Sequence, residues 1–146
     1  LILRRAVALL ATVAAALAST LLPQAAQARS FACPGSPNCV SSDAQGDRAI
    51  APLRIRGEPQ AAWQAVEKTL QRTERVRIVA READYLRAEF TTRWMRYVDD
   101  VELELRAQQR IIAVRSASRV GYWDLGANRR RIEALRESLR AAGVAE

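Results

Sequence analysis

Histidine is missing from all 146 residues, methionine occurs once and cysteine twice. Without an imidazole the chain lacks the commonest general acid–base residue and the commonest metal ligand. Two thiolates do not complete a tetrahedral zinc shell, so no metal is expected. Neither a Ser-His-Asp nor a Cys-His arrangement can be assembled, there is no Walker-type phosphate loop, and no cofactor or catalytic residue is indicated. Lysine is nearly absent as well: apart from Lys68, the 23 basic residues are all arginine.

What is present begins with a leader pattern. Arg4 and Arg5 precede an apolar stretch from Ala6 to Leu22, and Ala26-Gln27-Ala28 matches a small-x-small cleavage site. Residues 1–28 are therefore expected to be an export signal cleaved after Ala28, with an uncleaved anchor through residues 6–22 as the alternative. Removing 28 of the 146 residues leaves 118, with 21 basic against 16 acidic side chains, a net charge of +5. In an exported, periplasmic or envelope setting the expected partners are an anionic small molecule, a phospholipid or an acidic protein, and nucleic acid is not expected. In "CPGSPNC", Cys33 and Cys39 are expected to form a disulfide outside the reducing cytosol, and a free or redox-active pair is the alternative.

Residues 29–47 are rich in Ser, Pro, Gly and Asp and read as an irregular segment ahead of one domain over 48–143. "IAPLRIRG" reads as a short strand, and Trp63, Val66 and Leu70 define the buried stripe of a helix over 59–73 that starts at Pro59. Val76, Ile78 and Ala80, then Leu86, Ala88 and Phe90, alternate with polar residues and predict a hairpin turning at Ala83-Asp84-Tyr85. Val101, Leu103 and Leu105 lead into a second hairpin turning at Gln108-Gln109. Its register sets Leu105 opposite Ile112, Leu103 opposite Val114, Val101 opposite Ser116, Glu102 opposite Arg115 and Asp99 opposite Ser118. A final helix follows, with Asn128 expected as its N-cap, Ile132, Leu135, Leu139 and Ala142 as its apolar stripe and Gly143 as its stop. The order strand, helix, four strands, helix predicts an α+β fold, an antiparallel sheet of four to five strands covered on one face by two helices. That order resembles a reduced helix-grip arrangement.

Three motifs in order, "CPGSPNCVSS", "VDDVELEL" and "VRSASRVGYWDLGANRRRIEALR", make this chain resemble the bacterial and plastid family catalogued as domain of unknown function 1499, over nearly all of residues 33–140. The resemblance implies a small domain, often exported or membrane-associated, and carries no established activity or catalytic residue. Trp123 stands where the resemblance leads one to expect a smaller polar residue.

Arg129, Arg130 and Arg131 fall where the last helix begins, a place where the helix dipole disfavours cations. Something negative should compensate. One reading is a charge lock in which Asp99, Asp100 or Asp124 neutralises these arginines. The other is an anion-binding site made by Arg119, Arg129, Arg130 and Arg131, with Ser116 and Ser118 donating hydrogen bonds. Tyr122 and Trp123 are expected to anchor the turn in the core, with a ligand groove or membrane interface as the alternative. Neighbouring Asp99 and Asp100 point to opposite sheet faces and cannot share a site, so an enzyme reading rests on Asp99 alone.

The expected function is thus a non-catalytic exported domain that binds an anionic or amphipathic ligand or surface. The alternative is a structural or interaction module of the cell envelope.

Overall fold

The computed structural model describes residues 28–146, so the expected leader lies, but for Ala28, outside the described residues. Strand alternation and helical stripes build an α+β fold. β1 (Cys39–Ser41) and β2 (Leu53–Arg54) precede α1 (Pro59–Arg72). β3 (Val76–Arg81), β4 (Tyr85–Thr91), β5 (Val98–Arg106) and β6 (Ile111–Ser118) follow, and α2 (Ala127–Ala141) closes the order. The sheet has six strands in the order β1-β6-β5-β4-β3, with β2 also pairing β6. All of these pairings are antiparallel. Among the described residues no helix is long and apolar enough to cross a membrane.

Both helices lie on one face. Trp63, Val66 and Leu70 of α1 and Ile132, Leu135 and Leu139 of α2 pack with Leu86, Val101, Leu103, Ile112 and Val114 of the sheet. Each such side chain contributes about 1.5 to 3 kcal/mol on removal from water, so this layer is the main source of stability. α1 begins at Pro59, whose missing N–H is no loss in a first turn. α2 ends at Gly143 with φ +73°, and Gly143 N and Val144 N donate to the carbonyls of Arg140 and Leu139.

The expected β5–β6 register holds at each pair, including Leu105 with Ile112, Glu102 with Arg115 and Asp99 with Ser118. The connection is longer than a two-residue turn: residues 107–109 form a 3-10 turn and Arg110 takes a left-handed conformation, φ +54°. Register survives because the longer connection, residues 107–110, is centred on the same Gln108-Gln109 pair, while the apolar alternation excludes any one-residue slip.

Several expectations need correction. Ala142 is not part of the buried stripe of α2: it follows the last helical residue and is exposed. Residues 29–47 are not irregular throughout, because Cys39–Ser41 pairs with Arg115–Ala117 as β1. Tyr85 is not in the first hairpin turn but opens β4 opposite Glu104. Ala80 does not share a face with Ile78. The register shifts between them, which sends Ala80 to the opposite sheet face, against Phe31, Tyr85 and Ala113. Finally, Asn128 is not the N-cap: α2 begins at Ala127 after Gly126, and Asn128 lies wholly buried in its first turn.

The N-terminal strap crosses the face that bears no helices. Phe31 is 2% exposed and packs with Tyr85 and Ala113. Its N–H donates to Asp43, which also accepts both terminal nitrogens of Arg106 at 2.8 Å. The Cys33–Cys39 disulfide ties the strap to β1.

Candidate functional site

The arginine-rich segment from Arg115 to Arg131 spans the second half of β6, a connecting loop and the first turn of α2. Its inward-facing members form a buried polar hub. Ser116 is fully buried; its hydroxyl donates to Asn128 Oδ1 at 2.6 Å and accepts from Arg131 at 2.9 Å. Asn128 Nδ2 faces Ser118 Oγ at 2.9 Å, Asn38 O at 3.0 Å and Asp124 Oδ2 at 2.7 Å. Asn38 in turn donates to Gly121 O at 2.7 Å, so the disulfide loop, the β6–α2 loop and α2 meet at this pair of asparagines.

Arg131 completes the hub. It pairs with Asp99 and donates to Asn128 Oδ1 at 2.7 Å, while its guanidinium lies 5.2 Å from the centre of the Phe90 ring. The two charged side chains are only 12% and 5% exposed. A carboxylate so withdrawn from water needs such a partner, and here the cation is supplied by the helix start.

Asp124 has a different role. It accepts the backbone N–H groups of Gly126 at 3.0 Å and Asn128 at 2.7 Å, in the manner of a helix cap, and among the described residues it pairs with no arginine. Burial works to raise its pKa, but the amides of Asn128 and Gly126 outweigh it, and the carboxyl titrates below its usual range.

The other two helix-start arginines turn to carbonyls. Arg129 donates to Asp47 O at 2.9 Å and Ala49 O at 2.8 Å, and Arg130 to Leu125 O at 2.8 Å. Arg136, nearly two turns after Arg129, donates to Ala51 O and Pro52 O, and Arg48 to Pro34 O and Gly35 O. Non-repetitive backbone leaves carbonyls without ladder partners, and a guanidinium can satisfy two at once. The abundance of arginine therefore has a structural use along residues 47–52.

On the outer sheet face, Arg119 binds Asp100 through two nitrogens, at 2.7 and 2.8 Å, and Glu89 at 2.6 Å. It holds the carboxyls of Asp100 and Glu89 below their usual range, with Arg87 adding to the effect at Asp100 and Arg77 at Glu89. Arg115 pairs with Glu102, which also accepts the Tyr85 hydroxyl at 2.9 Å. Burial, then the hydrogen bond to Glu102, pushes the Tyr85 phenol up to about 12. A cleft of about 310 Å³ lies among Arg87, Asp100, Glu102, Arg115 and Arg119. Its charged walls are already bonded to one another.

The aromatic pair does not enter the core. Tyr122 and Trp123 are 75% and 69% exposed, and Val120 and Leu125 are also exposed. Leu125 has φ +54° ahead of Gly126 at +77°. A leucine in the left-handed region costs energy that glycine would avoid.

Asn38 escaped the sequence reading, since nothing in "CPGSPNC" distinguishes a hub residue from a turn asparagine. Trp94, Met95 and Tyr97 escaped it too, because "TRWMRY" follows neither period. Among the described residues no group of histidine, cysteine or acidic side chains is placed to hold a metal.

Comparison with known proteins gives one match. A family described as "Protein of unknown function (DUF1499)" is matched over residues 31–139, whereas no curated protein and no solved structure matches the chain.

Proposed function

The chain belongs to the DUF1499 family, and from its own geometry we propose that it is a non-catalytic interaction domain. In this reading the arginine-rich segment is a lock that holds out an amphipathic tip for an outside surface. The observation that carries it is a division of labour within one segment. Arg119, Arg129, Arg130 and Arg131 each donate to groups of the chain itself, whereas the side chains of Tyr122, Trp123 and Leu125 face solvent. An anion held jointly by Arg119, Ser116 and Ser118 draws no support from this arrangement, because the serine hydroxyls point into the Asn128 hub and Arg119 lies on the other sheet face. Asp99, buried behind Arg131, is likewise poorly placed for acid or base work on a substrate. The expected leader and the Cys33–Cys39 bond together favour an exported, envelope-facing setting.

Two variants test this reading. Tyr122→Ser/Trp123→Ser should unfold within about 0.5 kcal/mol of the parent, as expected for side chains outside the packed fold. Arg131→Met should unfold far more easily. If the tip variant melts as early as the lock variant, the aromatics belong to the fold and the reading fails. Inorganic phosphate should leave the melting temperature of the parent unchanged, and a specific rise would favour the anion site instead.

A further inference from the structure

A second loop repeats the chemistry of the tip at the same end of the sheet. β4 and β5 are joined by residues 92–97, in which Trp94, Met95 and Tyr97 are 82%, 65% and 46% exposed. The turn is closed by its own polar groups: Thr92 N donates to Tyr97 O at 2.8 Å, and Tyr97 N to Thr92 Oγ1 at 2.9 Å. Its large side chains are therefore not needed to form it. The Arg93 guanidinium lies 5.1 Å from the centre of the Trp94 ring. Thr91 pairs with Val98, and Asp99 with Ser118, so this loop and the β6–α2 loop leave from neighbouring strand ends.

We propose that the two loops form one docking edge for the surface of an anionic phospholipid bilayer. The inference rests on the amphipathic tip proposed above and names its partner. Charge decides the partner's sign. Residues 92–98 contain Arg93 and Arg96 and no acid. Asp124 is the one acid between Arg119 and Gly126; held by backbone amides it stays ionised, so the two loops together carry two cations, Arg93 and Arg96, against one anion. The edge is thus cationic, which disfavours a second copy of itself and favours phosphate-bearing headgroups that arginine binds in two-pronged fashion. Side-chain type decides the rest. Trp94, Tyr97, Tyr122 and Trp123 combine an apolar ring with a polar handle, the combination suited to headgroup depth, while Met95, Val120 and Leu125 are purely apolar wedges. Two separate protruding loops suit a deformable interface better than a rigid pocket. Neither rings nor cations alone hold a protein on a bilayer firmly, but the two together do.

The test uses the full chain and its own fluorescence. Of its three tryptophans, Trp63 is buried in the core while Trp94 and Trp123 sit on the edge. Phosphatidylglycerol vesicles with brominated acyl chains should quench and blue-shift the edge tryptophans. Phosphatidylcholine vesicles should require roughly tenfold more lipid for the same quenching, and added salt should narrow that gap. In Trp94→Phe or Trp123→Phe, the remaining edge tryptophan should still be quenched. Arg93→Gln/Arg96→Gln should erase most of the preference for the anionic lipid. Absence of quenching by the brominated anionic lipid overturns the inference, as does equal quenching on both lipids or sedimentation of the protein as a dimer that shields the edge. If the aromatic-to-serine variants keep the parent's stability, such a failure removes the bilayer and leaves the exposed interaction tip intact.

Discussion

Arg131, in the first turn of α2, closes over Asp99 near the start of β5, and both side chains are almost withdrawn from solvent. This pair joins the last helix to the centre of the sheet. Breaking one partner of a buried ion pair leaves the other charge uncompensated, so Arg131→Met should cost about 3 to 5 kcal/mol in urea unfolding. Replacing both, Asp99→Leu/Arg131→Met, should recover much of that loss. A double variant as unstable as the worse single one would show that Arg131 matters chiefly to Ser116, Asn128 and Phe90.

Asn128 has no exposed surface and serves Ser116, Ser118, Asn38, Asp124 and Arg131 at once. Asn128→Ala should destabilise by about 3 kcal/mol, since several buried groups lose a partner together. Ser118→Ala, which removes one acceptor of the Asn128 amide, should cost about 1 kcal/mol. Chemical denaturation of the two variants and their combination should show strong non-additivity; simple addition would contradict a cooperative hub.

Stability should be flat across neutral pH, since no histidine is present to titrate. Asp43, chiefly through its hydrogen bonds from Arg106, and Asp100 and Glu89, through Arg119, titrate lower when folded than when unfolded. Their contribution is therefore present above about pH 4 and is lost as pH falls through the folded values. Tyr85 runs the other way. Its phenol is raised to about 12, so its contribution is complete below about pH 10 and fades as pH climbs through the folded value. Urea midpoints measured across this range should trace a plateau with an acid and an alkaline shoulder, and Tyr85→Phe should lose the alkaline one.

Removing the disulfide, as Cys33→Ser/Cys39→Ser, should lower stability by about 2 kcal/mol, the chain-entropy expectation for a short closed loop. The strap should loosen first. Amide exchange at Phe31 and Asn38 should rise more than at Leu103 in β5, and uniform deprotection would mean that the strap is not a separate unit.

Much of the central sheet was legible in the sequence because a strand's period of two leaves little freedom once one face is buried. Val101, Leu103 and Leu105 against Ile112 and Val114 exclude a one-residue slip, a turn centred on Gln108-Gln109 sets the rest, and Glu102 then meets Arg115. The edges were harder. Cys39–Ser41 is too short to show alternation, and the bulge after Ile78 turns Ala80 over without any mark in the residues themselves. Asn128 carried the right residue type for a cap, yet the carboxylate of Asp124 took that work. The targets of Arg129 and Arg136 are main-chain oxygens, which every residue has, so no pattern of side chains announces them.

The pairing of β1 and β2 has a consequence for the order of assembly. Both strands find their partner in β6, and Asn38 meets Asn128 across 90 residues of chain. The first strands to be synthesised must therefore wait, unpaired, for nearly the last. Loop closure over such separations is slow, and a nascent chain that stops short of Ile111 lacks β6, the native partner of its amino-terminal strands. Completion of the carboxyl-terminal quarter is thus the event that commits the whole molecule to its native state.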